Sequence, residues 1–211
     1  QRTTHWSEPL RRLLRHHKRD TLITFGVSCL NAVAFYMLLS YMPTYVKEEL
    51  GFSQGTATMA TSVTLVVYIA AIFLMGRLSD FFGRRRMLVS ACMAFIVLSI
   101  PLFLAMTHAP GLPAIVACQI IFAIMLTAND GTLATFLAES FPTSVRYSGF
   151  ALSFNGANAL LGGTTPFIVT WLIGVSGSSL APAVYLTAVS AMAMVSILAS
   201  RVLHSSDLTE P

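Results

Sequence analysis

Six long, almost uninterrupted apolar runs leave this chain few folds to choose from. They extend from Thr21 to Val46, Thr56 to Gly76, Met87 to Met106, Ala114 to Ala138, Ser148 to Ile173 and Pro182 to Ser200. A helix rises about 1.5 Å per residue and the hydrocarbon core of a bilayer is about 30 Å thick. Each run can therefore cross a membrane as a helix, with its backbone hydrogen bonds closed internally. The core helix of a soluble protein needs one apolar stripe, whereas these runs are apolar nearly all round. Composition agrees: 55% of the 211 residues are hydrophobic and 10% charged, where a soluble domain carries about 25% charged. Mean hydropathy is +0.71. The expected fold is an all-α integral membrane protein with six transmembrane helices. Residues 1–20 read as a basic cytoplasmic segment, 21–200 as the membrane domain and 201–211 as a cytoplasmic tail.

The chain opens on Gln1, and its first twenty residues are basic and polar rather than a charged start to a short apolar signal. It reads as part of a longer protein. Cys29, Cys92 and Cys118 lie inside three different runs at unrelated spacing, so they are expected to be small core hydrophobes. No disulfide, metal or cofactor signal is present. The sequence pI near 9.2 raises the question of nucleic acid. The basic residues, however, stand beside the spans, where they set topology rather than read phosphates.

Their distribution is one-sided. Arg2, Arg11, Arg12, Arg15, Lys18 and Arg19 precede the first run; Arg77, Arg84, Arg85 and Arg86 follow the second; Arg146 follows the fourth and Arg201 the sixth. These are alternate connections, all on one side of the membrane. The other side holds only Lys47, beside Glu48 and Glu49. By the positive-inside bias both ends of the chain and the arginine-rich loop are cytoplasmic, in a multi-pass protein of the cell membrane.

Topology explains the arginines of "MGRLSDFFGRRRMLVS" but not its aspartate, its glycines or their spacing. Gly76 would let two helices approach closely, and Gly83 can take a positive φ at a tight turn. Asp80 is then free to pair with an arginine or to sit near the positive N-terminus of a helix starting around Tyr147. With Arg84 and Arg85 these residues form a candidate gating motif. "GRLSDFFGRR", Gly76 to Arg85, resembles the G-x-L-[SA]-D-x-x-G-R-R signature of the major facilitator superfamily, except that Phe81 stands where the family usually has Arg or Lys. Leu137 to Leu172 resembles the join between the tenth and eleventh helices of the metabolite:proton symporter family. "FYMLLSYMPTYV", Phe35 to Val46, resembles the seventh helix of its proline/betaine transporters. The resemblance runs from about Thr21 to Ser200. It implies the C-terminal half of a twelve-helix fold, built as a 3+3 inverted repeat, with an N-terminal six-helix half as its missing partner.

Polar residues within spans are costly and tend to face a cavity. Thr24, Ser28, Asn31 and Phe35 share one face of the first run, and Tyr36 is off it. Asn31 falls near the midplane, and Phe35 is the aromatic candidate for an ammonium contact. In the fourth run Gln119 and Asp130 are eleven residues apart and return to nearly the same face. An aspartate at membrane depth costs about 2.5 to 3.5 kcal/mol unless it meets a cation or water. Asp130 is accordingly the proton-coupling candidate. Glu139, at the cytoplasmic edge, is expected to pair with Arg146. The fifth run places Asn155, Asn158, Gly162 and Pro166 at successive helical spacings, which suggests a bending gate helix or a close-packing one. Asn31, Phe35, Gln119, Asn155 and Asn158 are thus the expected cavity residues.

The function implied is proton-coupled symport of a small polar solute, a zwitterion such as proline or betaine, by alternating access. No phosphate-binding loop is present, so a proton gradient would supply the energy. An α-ketoglutarate or citrate carrier is the alternative, although no Lys or Arg is buried in these runs to meet a dicarboxylate. A membrane enzyme would need convergent His, Asp or Cys groups at membrane depth, and a purely structural subunit would not need the Asp80 loop. The expected partners are the solute, protons, membrane lipid and the N-terminal half, with no nucleic acid.

Overall fold

A computed structural model describes Leu13, residues 15–108 and residues 111–200. Residues 201–211 and most of the leading basic segment therefore lie outside the described residues. Each apolar run forms one membrane-length helix: α1 (Lys18–Glu48), α2 (Gln54–Phe82), α3 (Arg84–His108), α4 (Leu112–Glu139), α5 (Arg146–Ser176) and α6 (Ala181–Ala199). The helices overrun the apolar stretches at their polar ends. Ser53 caps the start of α2 by accepting a hydrogen bond from the Thr56 N–H at 3.1 Å. α2 continues through Arg77 and Asp80 until Gly83, whose φ of +92° ends it and turns the chain directly into α3.

Two helices are interrupted. A five-residue π segment occupies Met37–Tyr41 in α1 and another occupies Asn158–Gly162 in α5. A proline follows each, Pro43 and Pro166, as the α-helical pattern resumes. Proline lacks an N–H and crowds the carbonyl four residues back, and a local widening of the helix relieves that conflict. The bend expected in the fifth run from Pro166 is thus a π segment followed by a turn at Gly163 and Thr164. α1 carries a counterpart that its sequence did not announce.

Around the bundle the neighbours run α2, α4, α3, α6, α1, α5, and α1 also touches α4. α3 and α6 pack together at the back. The apolar core lies between α1, α3, α4 and α6, where Phe103 meets Tyr45 and Phe122 edge-on at centroid distances of 5.1 and 5.5 Å. Small residues such as Ala32, Ala91, Ala183 and Ala193 are buried there and let the backbones approach, as packing without a hydrophobic driving force requires. All three cysteines are free and buried.

The ends of the bundle sort as the arginine distribution predicts. Arg19 and Arg85 donate to the last carbonyls of α6, Ala199 O at 3.3 Å and Leu198 O at 3.2 Å. Leu13 packs against Phe141 and Val145, between α4 and α5. The start of α1, the α2–α3 turn, the α4–α5 connection and the end of α6 therefore meet at one end. At the other end the Tyr45 hydroxyl donates to Ser179 O at 2.9 Å, joining the end of α1 to the α5–α6 connection.

α2 and α4 run parallel in a constant register. Thr64 Oγ1 donates to Gln119 Oε1 at 3.1 Å, Gly76 faces Gly131, and Arg84 meets Glu139; each pair is 55 residues apart in sequence. At the glycine crossing a Cβ on Gly131 would lie 2.9 Å from Gly76 N and 3.2 Å from Ile72 O. Gly131 must be glycine because its Cβ would strike the α2 backbone, whereas a Cβ on Gly76 would stand 3.7 Å from Gly131 O, an ordinary contact.

Candidate functional site

A cavity of about 260 Å³ opens between α1, α2, α4 and α5. α1 contributes Asn31 and Phe35, and α2 contributes Tyr68. α4 supplies Asp130, Leu133 and Ala134, and α5 supplies Phe150, Phe154 and Asn158. The lining thus comes from the first two helices of each triplet, whereas α3 and α6 serve as backing. Four of its side chains are aromatic rings. Phe35 stands edge-on to Tyr68 at 6.2 Å, and Phe150 lies 5.7 Å from Phe154. Among the described residues the lining contains no Lys, Arg or His.

Asp130 is the sole carboxylate of that lining. Asn31 Nδ2 donates to its Oδ1, and the Tyr68 hydroxyl donates to its Oδ2 at 2.5 Å. The second distance is that of a charge-assisted O–H to carboxylate bond, about 2.5–2.7 Å. One oxygen is held from α1 and the other from α2, so the carboxylate on α4 ties three helices together. From Asp130 to the end of α4 at Glu139 is nine residues, about 14 Å of helix, which sets the group deep within the span.

A second polar cluster closes the end of the bundle at which the arginines gather. Arg84 Nη1 pairs with Glu139, and Arg84 Nη2 lies 3.6 Å from Asp80. The pairing of Glu139 with Arg146 expected from sequence is corrected here: Arg146 Nε donates instead to Phe141 O at 3.3 Å. The reason lies in the crossing of α2 and α4. Asp80 on α2 and Glu139 on α4 lie beyond the glycine contact at the same end of these parallel helices, and the turn at Gly83 places Arg84, the first residue of α3, between them. Asp80 takes Arg84, the first of its two anticipated kinds of partner, rather than the start of α5. Arg85 turns to α6 instead.

The sequence candidates divide accordingly. Asn31, Phe35, Asn158 and Asp130 converge on the cavity. Asn158 faces it while its amide nitrogen donates to Phe154 O at 2.9 Å. Gln119 does not join them; it is fully buried beside Thr64, on the face of Asp130 but three turns away. Asn155 is exposed and outside the lining. Of the polar face on α1, Thr24 meets Ser153 of α5 at 2.7 Å, whereas Ser28 bonds back to Thr24 O within α1. Tyr36 packs its ring over Gly162, off that face as expected.

Sequence reasoning missed Tyr68, Phe150, Phe154 and Gly131. A signal existed for the first: Ala57, Thr61, Thr64 and Tyr68 recur at helical spacing in α2, and all four are buried. Phe150 and Phe154, four residues apart in a helix rich in apolar residues, carried no such contrast.

A six-helix bundle with a largely aromatic cavity that holds one carboxylate between its two triplets, and a glycine, aspartate and arginine turn at one end, is the architecture of a membrane transporter half. The chain belongs to the Major Facilitator Superfamily, whose profile residues 24–210 match. Among curated relatives it is 34% identical over 186 residues to the "Ectoine/proline transporter ProP" of Corynebacterium glutamicum, covering 88% of this chain and 37% of that protein. It is 31% identical to the "Glycine betaine/proline/ectoine/pipecolic acid transporter OusA" of Dickeya dadantii, over 87% of this chain and 36% of the relative. The "Proline/betaine transporter" of Escherichia coli is 33% identical, over 84% and 35%. The chain spans little more than a third of the length of these relatives.

Proposed function

We propose that the full-length protein carries small zwitterionic solutes such as proline or betaine across the cell membrane by alternating access, drawing on a proton gradient. In this reading the described helices are the C-terminal half, residues 1–20 end a central cytoplasmic loop, and an N-terminal six-helix half closes the cavity. The arginine-rich end of the bundle faces the cytoplasm. The observation that carries it is the cavity itself: one carboxylate at membrane depth, four aromatic rings and two asparagines, with no cationic side chain among the described residues. Aromatic faces attract an ammonium group without demanding a formal charge. A dicarboxylate would find no cationic partner on this side, which weighs against an α-ketoglutarate or citrate carrier. The relatives' names point the same way.

Asp130 is the proposed proton carrier. It can be ionised or protonated, it reaches the cavity, and it contacts two other helices, so its protonation state bears on how the half packs. The Arg84 bridge to Asp80 and Glu139 is the proposed latch of one transport state. The test is uptake by the full-length protein. Asp130→Asn, which mimics the protonated form, should keep solute exchange while abolishing uphill, pH-driven accumulation. Uphill uptake retained with an unchanged pH profile would remove Asp130 from the coupling role.

A further inference from the structure

Hydrogen-bond counting at Asp130 leads beyond its identification as a proton carrier. An ionised carboxylate only accepts, and its two oxygens receive two donors, Asn31 Nδ2 and the Tyr68 hydroxyl. A proton arriving on Oδ2 turns that oxygen into a donor facing a donor, and the contact must reorganise. A tyrosine hydroxyl both donates and accepts, so it resolves the conflict without moving its ring. Its hydrogen swings off Oδ2, its oxygen accepts the new Asp130 O–H, and its own O–H is left pointing elsewhere. Asn31 keeps its bond to Oδ1 throughout. Tyr68 lines the cavity, so the released donor has a cavity to face.

Resting on the reading of Asp130 as the coupled site, we infer that Tyr68 is the group through which the proton and the solute are read together: protonation of Asp130 inverts the Tyr68–Asp130 hydrogen bond and presents the Tyr68 O–H to the carboxylate of a zwitterionic solute. The proton comes from the aqueous side and stays on Asp130 Oδ2, while Tyr68 keeps its own proton. No bond other than the Asp130 O–H forms. An unprotonated Asp130 engages the hydroxyl and withholds it, so the solute's carboxylate loses a donor when the proton is absent. Proton and solute then bind better together than apart, which is the requirement for symport rather than exchange. The ammonium end of the solute is left to the rings of Phe35, Phe150 and Phe154.

The surroundings offer no competing titration. α1 presents Asn31 and Phe35 to the cavity, α4 adds Leu133 and Ala134, and α5 presents Phe150, Phe154 and Asn158. Tyr68 and Asp130 are the titratable groups of the lining among the described residues. Arg77 and Asp80 stand further along α2, Arg84 opens α3 and Glu139 ends α4, all at or near the ends of the helices.

The experiment compares KM for proline against pH in the full-length protein, for the parent, Tyr68→Phe and Asp130→Asn, at matched membrane abundance. The parent KM should fall as pH falls. In Tyr68→Phe, which keeps the ring and removes the hydroxyl, KM should be roughly tenfold higher at acid pH, the loss of one hydrogen bond to a charged group, and should converge on the parent value at alkaline pH. A parent-like KM and pH dependence in Tyr68→Phe would overturn the inference, and so would a KM raised equally at every pH, which marks a wall residue. The two readings fail separately. Uphill, pH-driven uptake surviving in Asp130→Asn removes the coupling site itself; uptake lost there with Tyr68→Phe unchanged removes only the role of Tyr68. A second measurement uses the purified full-length protein and a pH indicator. Proline addition near neutral pH should draw protons onto the parent and not onto Tyr68→Phe, and equal proton uptake by both would also overturn the inference.

Discussion

The chain builds two carboxylate clusters along the same pair of helices, and depth makes them different objects. At the cavity, Asp130 is fixed by one neutral donor on each oxygen, from α1 and α2. At the end of the bundle, Asp80 and Glu139 share Arg84, and the Asp80 side chain is 69% exposed. Water reaches the second cluster more freely than the first, where Asn31 and Tyr68 are buried and Asp130 is half-buried beside the cavity. A donor orphaned away from water keeps its full desolvation penalty, whereas an exposed ion pair is worth about 0 to 1 kcal/mol. The cavity cluster should therefore respond to the loss of a single atom, and the end cluster only to a change in its overall charge.

The largest effect should come from Gly131→Val, because both clusters depend on the α2–α4 register. Its Cβ would meet Gly76 N at 2.9 Å, a backbone contact that no rotamer relieves. The cost should reach at least about 1 to 3 kcal/mol, with transport lost and the thermal midpoint of the purified full-length protein lowered. Transport and stability like those of the parent would show that the register is not shared. Next stands Asp130→Ala, which removes the acceptor from both Asn31 and Tyr68. It should destabilise by about 1 kcal/mol for each of the two stranded donors, the low end of the range because the site borders a cavity, and by more than Asp130→Asn, whose amide oxygen still accepts. Equal midpoints for the two variants would mean that water reaches the donors and that the contrast in depth is wrong.

Much of this contrast was legible in the sequence, and what was not has a physical cause. Six spans follow from apolar length alone, and the positive φ at Gly83 from its place before paired arginines. Asp130 declared itself because an ionisable group in a long apolar run is rare. Its partners did not, since Asn31 and Tyr68 lie 99 and 62 residues away and only the packing of three helices selects them. Gln119 illustrates the limit of helical faces: it shares an azimuth with Asp130, but a cavity has finite depth, and three turns away the same face is sealed by Thr64. Proximity in sequence pairs Glu139 with Arg146, because the α2–α4 packing that brings it to Arg84 becomes visible only once Gly76 is seen opposite Gly131.

At the end cluster, reversing one charge should matter more than removing one. Arg84→Glu places a third carboxylate beside Asp80 and Glu139, and transport should fall several-fold at low salt and recover in part at high salt, where exposed charges are screened. The double reversal Arg84→Glu with Glu139→Arg should restore part of the loss, with a coupling of about 0.5 to 3 kcal/mol in a double-mutant cycle. Additive effects would mean that the Arg84–Glu139 pair does not act as a unit during transport.

The smallest effect on stability belongs to Asp80→Asn. The carboxylate is mostly exposed, stands 3.6 Å from Arg84, and competes with Glu139 for the same guanidinium. Losing its charge leaves the Arg84–Glu139 contact in place, so the thermal midpoint should stay within about 2 °C of the parent. Turnover is the sharper readout. If the cluster acts only in the arrangement described here, Asp80→Asn should slow uptake less than Glu139→Gln does at matched abundance. The reverse order would carry a definite meaning: an exposed carboxylate that contributes little to this packing but much to turnover must find its main partner in another transport state, where Arg84 or the start of α5 is differently placed. Measuring both variants for exchange as well as net uptake separates the cases, because a latch alters the balance between states in both assays, whereas a residue acting on one leg of the cycle alters only net uptake.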